Sequence, residues 1–319
     1  MNEIMLSIYV TTYNHGRYIG QALDSILMQK TQYSYEVLIG DDVSQDNTRE
    51  ILKAYEEAYP GKFTVYYREH NMNHQYPNNG DDLRARCRGK YVIALEGDDF
   101  WTDEYKIEKQ INFLESHPEY IAVAHNCTVV DETSRPKEEE YPECKDSLYT
   151  WNHYVSEILP GQLATVMYRN YLNDETINTS ILTQNMNPTD RLIYFMLASY
   201  GRIFCMQEKM SAYRHVTNGG SSFSANNRYN FERIELWHRR LLEYAYSIDN
   251  VSAQKCAEVL YMSRIVNACT KRKCSVAKGY RNLTSHVRHM MRTVGLYSVY
   301  KMRKNILKKD IYLEIDKVE

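Results

Sequence analysis

The chain has no run of about 18 apolar residues, so no helix of it is expected to span a membrane. It opens Met1-Asn2-Glu3-Ile4, with no basic stretch leading into an apolar one. That argues against a signal peptide and makes a cytoplasmic protein the expectation. The seven cysteines are odd in number, scattered and never spaced Cys-x-x-Cys. A disulfide framework and a structural zinc site are therefore disfavoured, and buried reduced thiols are expected. No Gly-x-Gly-x-x-Gly follows the first apolar segment, which argues against a dinucleotide dehydrogenase. No Gly-Lys-Ser/Thr loop is present, which argues against a P-loop ATPase.

What is present is ordinary in bulk. The 319 residues are 43% hydrophobic and 25% charged, enough for one large domain or a domain with an appendage. The net charge of -2 hides an asymmetry. Lys271 to Lys309 holds twelve Lys or Arg and no acid, and Asp310 to Glu319 is net -3, which leaves the first 270 residues at -11. Within the basic segment Leu296, Val299, Tyr300, Ile306 and Leu307 fall on one helical face, ringed by Lys301, Arg303, Lys304, Lys308 and Lys309. Two readings stand side by side: a peripheral contact with the inner face of a membrane, and a helical subdomain packed on the core with its cations in solvent. Nucleic-acid binding is a poorer reading, because the rest of the chain is acidic and no recognised module occurs.

Periodicity predicts strands over Ile4–Thr12, Tyr35–Gly40, Phe63–Tyr67, Lys90–Leu95, Tyr120–His125, Leu163–Tyr168 and Arg202–Met206. It predicts helices over Tyr18–Gln29, Thr48–Tyr59, Asp81–Arg88, Lys106–His117 and Arg191–Tyr200. From about Arg228 to the end the pattern is helical. Asp131 to Leu148, with its Lys137-Glu138-Glu139-Glu140 run, reads as an exposed loop, and Thr217 to Asn227 as a Gly/Ser/Asn-rich mobile one. Strands alternating with helices predict an α/β fold with a mostly parallel central sheet flanked by helices. Ligands of such sheets bind at the carboxyl ends of the strands.

Three of those ends are polar. The first strand runs into Thr11-Thr12-Tyr13-Asn14, the second into Asp41-Asp42-Val43-Ser44-Gln45-Asp46, the fourth into Glu96-Gly97-Asp98-Asp99-Phe100-Trp101. Asp41 and Ser44 could simply cap turns and Asp46 the next helix. Two carboxylate clusters on one rim point further, because adjacent carboxylates repel unless a cation lies between them. Hard ions such as Mg2+ or Mn2+ choose such oxygens, and a nucleotide diphosphate would complete the coordination.

Ser7 to Asn14 resembles the opening strand of the family 2 glycosyltransferases of the GT-A fold. Asp41 to Asp46 resembles that family's Asp-Asp-x-Ser-x-Asp element, and Gly89 to Trp101 its metal motif, commonly called DxD. Asp190-Arg191, followed by a helix and a strand leading to Tyr213-Arg214-His215, is a fourth match. The resemblance covers roughly residues 4 to 222. It implies a GT-A glycosyltransferase domain over residues 1–225 and a helical, basic C-terminal region over 226–319. It also implies that Thr11, Tyr13, Asn14 and the Asp41-Asp42 pair hold the base and ribose of a nucleotide-sugar, a UDP-sugar being favoured. Tyr13 as core packing and Asp41 as a strand cap are the alternatives. Asp98, with Glu96, Asp99 and His215, would hold Mn2+ or Mg2+ against the diphosphate; Glu96 stands where many relatives have Asp, so the metal is placed first on Asp98. Asp190 would be the general base of a single inverting displacement, or the cap of the helix that follows it. Trp101 would floor the acceptor cleft or pack the core. The implied activity is transfer of a sugar to a hydroxyl of a glycan or lipid-linked acceptor in surface polysaccharide synthesis. A nucleotidyltransferase would want a Gly-rich phosphate loop where Thr-Thr-Tyr-Asn stands, and a non-catalytic sugar-binding protein would not need its carboxylates.

Overall fold

The computed structural model describes residues 3–72, 76–184, 189–216 and 231–270. The basic segment from Lys271 to Lys309 and the loop Thr217 to Asn227 lie outside the described residues. The chain divides into two compact units: the first holds residues 1–149, 159–185 and 200–227, the second 150–158, 186–199 and 228–319.

The first unit is built on an eight-stranded sheet. Its strands are β1 (Leu6–Thr12), β2 (Tyr35–Asp41), β3 (Phe63–Tyr67), β4 (Tyr91–Glu96), β5 (Phe100–Trp101), β6 (Tyr120–Val130), β7 (Met167–Arg169) and β8 (Arg202–Arg214). Their spatial order is β3-β2-β1-β4-β7-β6-β8-β5. β1 pairs in parallel with β2 and β4, and β2 with β3. Beyond β4 the sheet is mixed: β7 is antiparallel to both neighbours, β6 and β8 are parallel, and β5 is antiparallel to β8. The sheet is thus mostly parallel, as expected, with the antiparallel pairings confined to β7 and β5.

Helices α1 (Ile19–Leu27), α2 (Thr48–Ala58), α3 (Asn79–Ala85) and α4 (Lys106–Ser116) flank this sheet. Alternation along β1 sends Leu6, Ile8 and Val10 to one face, where they meet Ile19, Ala22, Leu23 and Ile26 of α1, Leu52 of α2 and Ile107, Ile111 and Leu114 of α4. Each of the Leu, Ile and Val side chains among these contributes about 1.5–3 kcal/mol by leaving water. The register of β1 is therefore strongly held, since a one-residue slip would turn this set to the other face.

Three readings from periodicity are corrected. β8 runs on to Arg214 because pairing with β6 continues past the exposed Gln207-Glu208-Lys209 stretch, with register shifts near Asn126 absorbing the mismatch. Leu163–Thr165 is a 3-10 turn rather than strand, since Gln162 accepts from the Ala164 N–H through Oε1 (2.7 Å) and from the Thr165 hydroxyl through its carbonyl (2.7 Å). The loop from Asp131 to Leu148 has no helix or strand, yet it is not all exposed: Glu143 and Cys144 are buried.

The second unit contains α5 (Trp151–Val155), α6 (Thr189–Tyr200, within this unit as far as Ser199), α7 (Phe231–Ser247) and α8 (Val251–Thr270). Its core includes Trp151 edge-on to Phe195 at 5.1 Å, with Tyr154 beside them. Among the described residues no helix is long and apolar enough to cross a membrane.

Candidate functional site at the carboxyl rim of the sheet

The loops after β1 and β2 are zipped together. The Asn14 N–H donates to Ser44 Oγ (2.9 Å), the Gln45 N–H to Asn14 Oδ1 (2.7 Å), and the Gly16 N–H to Asp46 Oδ2 (2.9 Å). Asn14 has φ 55° and Val43 φ 65°. The left-handed region is tolerable for Asn but strained for a β-branched residue. Asp46 also accepts from the Thr48 N–H at 3.0 Å. Burial works against its charge, but these hydrogen bonds outweigh it and hold the carboxyl below the usual range.

Asp41 is fully buried. Its Oδ2 takes the Arg49 Nε–H and the Ser44 N–H, while Oδ1 is buried with no hydrogen-bond partner. Asp42 donates its N–H to Thr12 O (2.9 Å) and accepts from the Met72 N–H through Oδ1 (2.7 Å). Burial raises its pKa, and the charge of Asp41 adds to that against the Met72 bond and Arg68. Thr11 and Tyr13 are half-buried on the same rim.

The end of β4 is a tight turn in which the Asp99 N–H bonds Glu96 O (2.9 Å) and the Gly97 N–H bonds Thr11 O (2.9 Å). A Cβ on Gly97 would lie 2.9 Å from both His15 Nδ1 and Thr12 Oγ1, so no side chain fits there without displacement. Asp99 points inward. Its Oδ1 accepts from the Arg214 N–H (2.7 Å) and its Oδ2 from Gln162 Nε2 (2.7 Å), which also reaches Glu96 Oε2 (3.1 Å). Burial, then the charges of Asp98 and Glu96, push the Asp99 carboxyl well up. Asp98 is half-buried, with His15 Nε2 at 3.8 Å from its Oδ2.

Arg214 is the fastener of this turn. Its Nε donates to Asp98 O (2.8 Å), Nη1 to Asp131 O (2.9 Å) and Ser134 Oγ (3.1 Å), and Nη2 to Gln21 Oε1 (2.8 Å). The guanidinium also lies 4.3 Å from the Tyr18 ring centroid and 5.5 Å from that of Phe100.

Glu96, Asp98 and Asp99 are thus brought together next to the β1 and β2 loops. His215 lies on the last residues of this unit to be described: its Nδ1 is 2.7 Å from Glu139 Oε2 and 3.5 Å from Lys137 Nζ. Among the described residues, no three His, Cys, Asp or Glu gather closely enough to form a metal cage. The crowded carboxylates fit a cation whose remaining ligands come from a diphosphate, which is the arrangement expected of Mg2+ or Mn2+ with a nucleotide. Trp101 is 1% exposed, donates to Ala164 O (3.1 Å) and carries Lys106 Nζ 4.2 Å from its ring centroid. It packs the core, and the expectation of a cleft floor is withdrawn. Asp190 belongs to the second unit, in the first turn of α6, where its Oδ1 accepts from the Arg191 N–H (2.8 Å). Burial raises its carboxyl, against the opposing bond and charge of Arg191.

Sequence reasoning gave no role to Gln162, Arg214, His15 or Arg49. Arg214 was within reach as the middle of a matched motif, and His15 as the neighbour of Asn14. Gln162 carries no signal along the chain, because the carboxylates it binds are more than sixty positions away.

The model of the family described as glycosyl transferase family 2 matches residues 7–172. An uncharacterized Mycobacterium tuberculosis protein, Rv1520, is 30% identical over 220 residues, 67% of this chain and 60% of the relative; the match thus spans less than two thirds of that protein's length. A Bacillus subtilis protein named provisionally as the teichuronic acid biosynthesis glycosyltransferase TuaG is 27% identical over 219 residues, 68% of this chain and 82% of that one. Among solved structures, S. aureus TarS 1–349 in complex with UDP-GlcNAc superposes with a TM-score of 0.61 at 15% identity, covering 92% of this chain and 80% of that one. The mannosyltransferase PcManGT from Pyrobaculum calidifontis, in complex with GDP-Man and Mn2+, gives 0.51 at 12% identity, covering 97% and 89%. With the fold, the order of the strand-end motifs and the family model in agreement, the chain belongs to glycosyl transferase family 2.

Proposed function

We propose that the protein transfers a sugar from a nucleotide-diphosphate sugar, a UDP-sugar by preference, to a hydroxyl of a glycan or lipid-linked acceptor, with inversion. The observation that carries this reading is the triple carboxylate turn of Glu96, Asp98 and Asp99, set beside the Asp41-Asp42 rim in a chain of this family. TarS and PcManGT, crystallised with UDP-GlcNAc and GDP-Man, support a nucleotide-sugar donor, and TuaG supports a role in surface polysaccharide synthesis.

Thr11, Tyr13, Asn14, Asp41 and Asp42 would receive the nucleoside, Tyr13 by stacking and a rim carboxylate by accepting the imide proton. Asp98, aided by Glu96, would hold Mn2+ or Mg2+ against the diphosphate, where such an ion supplies positive charge facing the leaving group. Both oxygens of Asp99 already accept hydrogen bonds, so its part is to set the turn. Asp190 would take the proton of the acceptor hydroxyl as that oxygen bonds to the anomeric carbon and the carbon–phosphate-oxygen bond breaks. The raised carboxyl of Asp190 suits a base, since it brings the group nearer the working pH. Calorimetric titration of UDP with Mn2+, and again with EDTA, tests the donor half of this scheme. Binding confined to the metal-containing titration is expected, and equal affinity in both would refute it.

A further inference from the structure

The end of β8 carries an aromatic pair that the proposed donor binding does not use, and its chemistry points to a ligand. Alternation along the strand places Tyr213 and His215 on the face opposite Arg214. The Tyr141 ring stands 73° to that of Tyr213 at 5.2 Å, forming a corner of two half-buried rings. His215 continues it, nearly parallel to Tyr213 at 6.2 Å. Polar groups border the corner: Lys137 Nζ is 2.8 Å from Glu139 Oε2, which in turn meets His215. The charged run stays exposed as expected, but its end is pinned: Glu139 meets His215 and Tyr141 packs on Tyr213.

This corner is joined to the acid turn through Arg214. The Arg214 guanidinium binds Asp98 O, Asp131 O and Ser134 Oγ, so the root of the 131–148 loop is fixed to the metal motif. Pyranose rings present C–H groups on one face and hydroxyls around the edge. Aromatic planes match the first, and carboxylate and ammonium groups the second.

We propose that Tyr141, Tyr213 and the Lys137–Glu139 pair form a subsite for a pyranose unit of the acceptor, laid against the aromatic corner with its hydroxyls on Glu139 and Lys137. This rests on the reading of the protein as a sugar transferase. It adds that the acceptor is itself a saccharide at its reacting end, recognised by the loop after β6.

The test uses the full chain with UDP and Mg2+ and, as probes, a panel of p-nitrophenyl hexopyranosides of the gluco, galacto, manno and N-acetylglucosamine series. Saturation-transfer NMR reads pyranoside binding, and calorimetry reads UDP binding separately. At least one pyranoside is expected to receive saturation from the wild type. Tyr141→Ala and Glu139→Gln should each weaken that pyranoside by about tenfold, the scale of one lost aromatic or charged contact, with UDP affinity held within about twofold. Tyr141→Phe, which keeps the ring, should bind it like the wild type. Thermal melts matching the wild type confirm that the loop variants are folded. The subsite is overturned if no pyranoside binds wild-type protein that takes up UDP, or if Tyr141→Ala leaves its affinity unchanged. A wild type that takes up no UDP with Mg2+ would instead refute the transferase reading itself.

Discussion

Replacing Arg214 by Met tests whether the acid turn is held in place or merely sits there. The guanidinium makes four side-chain hydrogen bonds of 2.8–3.1 Å, two of them to backbone carbonyls, from a residue that is 2% exposed. Methionine fills much of the same volume but returns none of those bonds. Each stranded buried acceptor costs about 1–3 kcal/mol, but water entry and loop relaxation recover part, so a total near 3–5 kcal/mol is expected. Arg214→Lys keeps the charge but offers a point ammonium in place of a planar fork, and should recover only about 1–2 kcal/mol of the loss. The protein has three tryptophans, of which Trp101 lies in the core of the first unit while Trp151 and Trp237 belong to the second. Urea titrations followed by fluorescence in a Trp151→Phe, Trp237→Phe background therefore report on the unit that contains the turn. A Met variant within about 1 kcal/mol of its parent, or a Lys variant equal to Arg, would refute the role given to this residue. In folded variants the metal-dependent affinity for UDP should fall by about tenfold or more, since Asp98 loses its backbone anchor.

Asp98→Ala should abolish the metal-dependent part of UDP binding while leaving the melting temperature close to that of the wild type, because this carboxylate is half-buried and its nearest ionic partner is His15 at 3.8 Å; calorimetry with and without Mn2+ checks it. Asp190→Asn should leave UDP affinity nearly intact and lower single-turnover transfer by about two orders of magnitude, the scale of a lost general base. Because burial raises the Asp190 carboxyl above the usual carboxylate range, the active deprotonated form is lost as pH falls through the raised value. The acidic limb of the rate profile should accordingly lie above the range of a free aspartate. The Lys271–Lys309 segment, with twelve cations and no acid, should carry the full chain onto anionic liposomes at low salt. At about 1 kcal/mol per engaged cation, attachment should weaken as salt rises and on changing Lys301, Arg303 and Lys304 to Glu. Failure of the wild type to co-sediment would favour a packed helical role for the segment.

Much of the first half of the sheet was legible because its information is local. Leu6, Ile8 and Val10 alternate, and Ile19, Ala22, Leu23 and Ile26 repeat at helical spacing, so pattern and burial coincide. The strand-end motifs were legible for the same reason, since strand and loop chemistry adjoin in sequence. The second half resisted. Gln207-Glu208-Lys209 looks like the end of a strand, yet β8 continues because β6 supplies its hydrogen bonds from eighty positions away. The inward turn of Asp99 depends on Gln162 and on the backbone of Arg214, and no property of Asp99 itself announces it. The hold of Glu139 on His215 likewise appears only once the loop has folded back.

The two halves of the rim are prepared in different ways, and the difference bears on how a donor would be received. Around Asp41 and Asp42, hydrogen bonds between neighbouring loops hold Val43 in a backbone conformation that costs on the order of 1–3 kcal/mol, so this part is ordered before any ligand arrives. A nucleoside docking there would lose little further entropy to loop ordering. Around Glu96, Asp98 and Asp99 the preparation is electrostatic. Three acids are gathered against their mutual repulsion, with the Gln162 amide and the Arg214 N–H satisfying the innermost one. The Arg214 charge offsets the charges of Asp98 and Glu96 on Asp99 only in part, so repulsion within the turn is left for a cation to relieve. A diphosphate alone would meet this turn as another anion; together with a divalent ion it would complete it. Under the proposed transfer, metal dependence is therefore expected to persist for any nucleotide whose base the Asp41-Asp42 side accepts.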